Sequence, residues 1–135
     1  MRNILCNIIN PVAVDTAEFL PRHVISVNGT RIQSITPLES FQGDYEDYSS
    51  DIALPGFIDL HVHLSQYRIR GRYFPALLPW LQQSVFPEES KSQDPGYALK
   101  LSEDFFNALL RAGTTCSVIY TAPYREAADA AFETA

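Results

Sequence analysis

Leu54-Pro55-Gly56-Phe57-Ile58-Asp59-Leu60-His61-Val62-His63 is the stretch whose reading decides the fold. It holds two of the chain's three histidines, two residues apart, at the end of an apolar run. Strand side chains alternate between faces. Phe57, Asp59, His61 and His63 therefore share one face, and Ile58, Leu60, Val62 and Leu64 share the other. The aliphatic face is expected to pack, which turns the imidazoles and the carboxylate inward. Neutral imidazole is a common ligand of zinc and also suits iron and nickel. Two imidazoles at this spacing present two ring nitrogens to one divalent ion, so His61 and His63 are candidate metal ligands. Two structural histidines at a strand end would share the same spacing. Asp59 either orients a ligand imidazole or binds nearby backbone.

Downstream of this strand the pattern alternates. Ser65 to Phe74 is a polar and aromatic loop, and Ala76 to Val85 is a short helix containing Trp80, stopped by Pro87. Pro87 to Gln93 reads as an acidic and polar connection. Asp94-Pro95 is a helix start, an N-cap carboxylate followed by proline at the first helical position. Leu101, Phe105, Leu109 and Ala112 recur every three or four residues, which predicts an amphipathic helix, and Gly113 suits its C-terminal cap. Thr114 to Tyr120 is rich in strand formers, and Tyr124 to Ala135 is alanine-rich and helical. Strand, helix, strand, helix implies a parallel sheet with helices outside. In such sheets active sites lie at the C-terminal ends of the strands, where the two histidines fall.

Upstream, Asn3 to Ile9 reads as a strand and Pro11 to Pro21 as a connector. Val24 to Val27 and Arg31 to Ile35 flank Asn28-Gly29 as a hairpin. Pro37 to Ser50 reads as a polar loop. Residues 1–53 are thus a small all-β unit with few large apolar residues, one that needs partner strands from elsewhere. His23 precedes the hairpin with no carboxylate or histidine beside it and is read as structural.

The chain has 135 residues and a formal net charge of −6, which argues against nucleic acid as a partner. Arg68, Arg70 and Arg72 are the one local basic cluster, read as a solvated loop. Cys6 and Cys116 stand far apart and form neither a disulfide framework nor a metal-type pair, in keeping with a reducing, cytoplasmic setting. No segment approaches a membrane span or a signal peptide, so no membrane role is expected.

Pro55-Gly56-Phe57-Ile58-Asp59-Leu60-His61-Val62-His63 resembles the first barrel strand of the amidohydrolase superfamily, and Gly113-Thr114-Thr115 resembles the start of its second. The preceding β unit fits the β-sandwich that many members build from both chain ends. A narrower likeness lies in His63-Leu64-Ser65-Gln66-Tyr67, Leu77-Leu78-Pro79-Trp80-Leu81 and Phe86-Pro87-Glu88-Glu89, which together resemble the guanine deaminase family. The likeness implies an α/β fold class: the start of a (β/α)8 metallo-hydrolase barrel, preceded by a small β-sandwich-type unit at 1–53 and incomplete over 54–135. A closed barrel needs eight strands and about 250 residues, so the expectation is an N-terminal piece of a longer protein, inactive alone.

The same likeness implies one zinc ion per active site on His61 and His63 and a hydrolytic conversion of guanine to xanthine and ammonia. Gln66 would contact the purine, since a side-chain amide both donates and accepts. Trp80 would line or buttress the pocket, though a helix-core tryptophan is the reading its place favours. The remaining ligands, a substrate-clamping arginine and the proton-shuttling acid come from later strands in that family. Members are often homodimers. Two alternatives stand: another aminohydrolase or cyclic-amide hydrolase acting on a purine, pyrimidine or triazine, and a non-catalytic barrel scaffold.

Overall fold

A computed structural model describes residues 1–135 as two compact units, Met1–Pro55 and Gly56–Ala135. The first contains strands β1 (Arg2–Ala13), β2 (Thr16–Asn28), β3 (Arg31–Pro37) and β4 (Glu46–Ala53). They form one sheet of order β3-β2-β1-β4, antiparallel except for the parallel pair β1 and β4. Its small core is Leu5, Cys6, Ile8 and Val24.

Two expectations for this unit are corrected. The supposed connector from Pro11 to Pro21 is the arm of a long β1–β2 hairpin. Proline is tolerated in a strand where the ladder is broken. The pairing jumps from Cys6–His23 to Ile8–Leu20, so Pro21 and Arg22 bulge opposite Asn7. Arg22 takes φ 51°, and its N–H donates to Asn7 Oδ1 at 3.1 Å. The supposed polar loop before residue 50 holds a short 3₁₀ turn, Leu38–Ser40, and the first half of β4. Its polar residues hold an edge strand: Arg2 forks onto both Glu46 oxygens at 2.6 and 2.7 Å, and Asn7 Nδ2 donates to the carbonyl of Ser49 at 2.9 Å. The expected hairpin forms with its turn one residue on: Asn28 pairs with Arg31, and the two-residue loop is Gly29-Thr30, with Gly29 at φ 58°.

In the second unit, β5 (Phe57–His63) pairs in parallel with β6 (Thr114–Tyr120). The connection is α1 (Leu77–Trp80), a π-helical turn Leu81–Val85, α2 (Phe86–Ser90), a 3₁₀ turn Lys91–Gln93 and α3 (Pro95–Arg111). Helix α4 (Arg125–Thr134) packs on α3. Pro87 does not stop the first helix as predicted, and the residues after it are helical rather than a connection. Proline lacks the N–H of a regular ladder and crowds the carbonyl four residues back. The widened turn at Leu81–Val85 comes just before it and is the local adjustment that lets the helix continue.

Helix α3 begins and ends as its sequence dictates. Asp94 Oδ1 accepts the Tyr97 N–H at 2.6 Å, and Gly113 closes the C-terminus at φ 82°. Its Leu101 and Phe105 join Leu64 as the core, against Val62, Tyr67 and Ile119. The aliphatic face of β5 is therefore covered only toward its C-terminal end. Ile58 and Leu60, expected to pack, are 66% and 72% exposed. No helix is long and apolar enough to cross a membrane.

Candidate active site

The histidine pair sits at the C-terminal end of β5, and a register break shapes it. Asp59 pairs with Ser117, but Val62 pairs with Ile119, so β5 carries one extra residue between them. Asp59 Oδ1 accepts the His61 N–H at 3.0 Å across this break. Its carboxylate thus holds the backbone that carries His61. The two imidazoles converge, with Nε2 to Nε2 at 3.1 Å.

That spacing fits a shared ion. Two imidazole nitrogens on one tetrahedral zinc, each ~2.05 Å from it, stand about 3.3 Å apart. Both rings belong to residues that are solvent-exposed, so a cation can reach the nitrogens. No cluster of three His, Cys, Asp or Glu residues surrounds a common point, so the chain offers two ligands. His23, in the other unit, is engaged through Nδ1 with the Pro21 carbonyl at 2.8 Å.

Tyr120 was not singled out in the sequence, and it is the nearest aromatic neighbour of both histidines. Its ring lies 5.3 Å from that of His63 at 23°, and 4.5 Å from that of His61 at 35°. The signal was available in the strand pattern. Tyr120 ends β6 as His63 ends β5, and the parallel register pairs them.

Behind the pair stands Gln66. It sits in a 3₁₀ turn, Leu64–Ile69, that starts directly after β5. Its Nε2 is 3.4 Å from His63 Nδ1 and donates to Glu89 Oε1 at 3.3 Å. The same Glu89 oxygen accepts from Ser65 Oγ at 3.0 Å, and Ser65 is fully buried. Gln66, His63 and Trp80 line one cavity of about 270 Å³, walled also by Tyr67, Phe105 and Arg72. Trp80 is therefore a wall of the cavity and only half-buried, not a closed core residue. His61 lies outside that lining.

The Phe-Pro-Glu-Glu stretch divides its labour. Glu89 faces the Ser65–Gln66 turn, while Glu88 is buried and faces α3. Lys91 Nζ donates to Glu88 Oε2 at 2.6 Å, and the Tyr97 hydroxyl donates to Oε1. Burial pushes the Glu88 carboxyl up, but these two donors outweigh it and hold it below the ordinary glutamate range. Tyr97 is pushed up to about 12 by its own burial and by the Glu88 carboxylate that accepts its proton. Of the arginines read as a solvated cluster, Arg68 pairs with Asp104 at 3.0 Å and Arg70 stacks on Tyr67 at 4.0 Å.

Residues 52–135 match the model of the amidohydrolase family. Over 89 residues the chain is 38% identical to guanine deaminase of Escherichia coli (strain K12), which covers 66% of this chain and 20% of that protein. The crystal structure of guanine deaminase from Bradyrhizobium japonicum superposes with a TM-score of 0.86 at 32% identity, over 98% of this chain and 32% of that one. Guanine deaminase from C. acetobutylicum, solved with guanine bound in its active site, superposes with a TM-score of 0.83 at 28% identity, over 98% and 32% of the two chains. The chain thus spans about a fifth of the curated relative's length and about a third of these solved chains.

Proposed function

The chain belongs to the amidohydrolase family, and we propose that it supplies the first two β/α units of a zinc-dependent guanine deaminase barrel. The small sheet of the first unit would be the N-terminal part of a composite β-sandwich. One observation carries the reading: two Nε2 atoms 3.1 Å apart stand beside a cavity that holds Gln66 and Trp80. The likeness to guanine deaminases points the same way. We also place the protein in the cytoplasm, in keeping with its two free cysteines, Cys6 and Cys116.

In this reading His61 and His63, whose Nε2 atoms converge, would hold one zinc ion. Bound zinc supplies activation of water at neutral pH, the nucleophile a hydrolytic deamination needs. The rest falls to the chain's own groups. Asp59 fixes the backbone at His61, and Tyr120, stacked on His63 and tilted against His61, limits rotation of both rings. Trp80 offers a flat apolar wall to a planar base. Gln66 meets the polar edge of the ring with an amide that matches a lactam's donors and acceptors. Together they orient the base so that its amine-bearing carbon faces the histidine pair.

The test compares substrates on the intact protein. Guanine is expected to be consumed with release of one ammonia each, and aminated pyrimidines and triazines to react far more slowly. Turnover of those rings with none of guanine would refute the substrate assignment and leave the family standing. A protein with neither turnover nor stoichiometric zinc would be the scaffold instead.

A further inference from the structure

We propose that Glu89 is a positioning residue that sets which end of the Gln66 amide meets the substrate. The inference rests on the guanine-binding role given above to Gln66 and adds a residue that touches neither metal nor base.

The argument begins with what a carboxylate can do. An ionised carboxylate accepts hydrogen bonds and donates none. Glu89 Oε1 receives two donors from consecutive residues, Ser65 Oγ at 3.0 Å and Gln66 Nε2 at 3.3 Å. The Ser65 contact anchors the carboxylate, because that serine has no solvent to turn to. The anchored oxygen then takes the NH₂ end of Gln66. With that end held, the amide's carbonyl oxygen is the end left free to accept an N–H from a bound ring. An unanchored glutamine can flip its amide and must lose several rotatable torsions on binding. Glu89, on the same side of the amide as His63 Nδ1, restricts both freedoms in advance, which favours binding without touching the reacting carbon.

Glu89 reaches this turn from α2, well away in sequence. The helix brings it there by continuing through Pro87, so two successive glutamates serve different neighbours: Glu88 grips α3 and Glu89 grips the turn after the histidine strand. A helix broken at Pro87 would not deliver that division.

The test is steady-state kinetics of the intact protein on guanine, with zinc content measured alongside. In Glu89→Ala we expect KM to rise about tenfold, the loss of one pre-organising hydrogen bond. We expect kcat to stay within about threefold and zinc content to match the unsubstituted protein. Glu89→Gln keeps an acceptor oxygen and should restore KM to within about threefold. Ser65→Ala removes the anchor and should raise KM in the same direction, by less than Glu89→Ala does, because Gln66 keeps its partner. Unchanged KM in Glu89→Ala, a fall in zinc with kcat, or a Glu89→Gln as impaired as the alanine variant would each overturn the proposal.

If the unsubstituted protein does not turn over guanine, the functional reading fails. The Glu89 inference is then judged on the side-chain amide signals of Gln66 in a nitrogen-15 spectrum. Glu89→Ala should shift them and speed their exchange with water, and signals that do not move would sink it. A Glu89→Ala protein that fails to fold passes the question to Glu89→Gln, whose amide signals must then stay near those of the unsubstituted protein.

Discussion

Gly56→Ala should weaken the pairing of β5 with β6 more than any other single methyl group added to the chain. An ideal Cβ at Gly56 would lie 2.0 Å from Thr115 Oγ1, 2.4 Å from Thr115 Cγ2 and 2.7 Å from Thr115 Cβ. Rotation about the Thr115 side chain relieves the first two contacts. It cannot relieve the third, because Cβ is fixed by the backbone. Thr115 is itself the extra residue where the register jumps from Phe57–Thr114 to Ile58–Cys116. The first ladder bond, Phe57 N–H to the Gly113 carbonyl at 2.8 Å, stands beside it. The strands must therefore part at the start of the ladder, a cost at the upper end of the ~1–3 kcal/mol seen for overpacking.

The assay for Gly56→Ala is urea unfolding followed by tryptophan fluorescence. Trp80 is the only tryptophan and lies in the second unit, so the signal reports that unit. A double-mutant cycle locates the clash. Adding Thr115→Ala should recover part of the loss, since the 2.7 Å contact persists. Adding Thr115→Gly should recover nearly all of it beyond the cost of Thr115→Gly alone. A loss under about 0.5 kcal/mol for Gly56→Ala, or equal recovery by both partners, would refute the reasoning.

Asp94→Ala removes the cap of α3 and should cost about 1 kcal/mol in the same unfolding experiment, with Asp94→Ser recovering most of it. The Glu88–Tyr97 contact predicts stability losses at both extremes of pH. Glu88 is held low, so its contribution is present above its unfolded pKa and fades as pH falls through the lower folded value. Tyr97 is raised from 10.0 to about 12, so its contribution is full below pH 10 and is lost as pH rises toward 12. Glu88→Gln should flatten the acid limb, as read from the urea midpoint against pH. Tyr120→Ala should loosen zinc at the histidine pair by about tenfold, the range for groups that orient ligands from outside, while Tyr120→Phe keeps it. Competition with a chelator measures this, and equal affinity in all three proteins would remove Tyr120 from the account.

The sequence shows some of this architecture plainly and hides other parts for physical reasons. The α3 boundaries were legible because Asp94, Pro95 and Gly113 each have one conformational use at a helix end. Strand β6 was legible because β-branched residues crowd it. The helix through Pro87 was hidden because a π-helical turn leaves no periodic signature in five residues. The hairpin arm at Pro11–Pro21 was hidden because proline argues against a strand unless a bulge is known to receive it, and that bulge depends on Asn7, fourteen residues before Pro21. Strand β4 was hidden because an edge strand held by Arg2 and Asn7 needs no apolar alternation.

At the site, His61 and His63 were legible because their spacing survives the extra residue in β5. Asp59 was legible as a member of the face, but not as the acceptor of the His61 N–H. Tyr120 and Glu89 were invisible as partners, since Tyr120 meets the histidines only through the sheet register and Glu89 meets the turn after them only through the winding of α2. Ile58 and Leu60 look like core in the sequence, yet α3 reaches only Val62 and Leu64.

The central proposal is that His61 and His63 would hold the zinc ion of a guanine deaminase to which this chain contributes. Zinc content and guanine turnover, measured on the same preparations of the intact protein and of His61→Ala, test it most directly. The account predicts about one zinc per molecule of the protein that carries the whole barrel and ammonia released mole for mole with guanine consumed, with both lost together in His61→Ala. A His61→Ala protein that keeps its zinc and its turnover would contradict it.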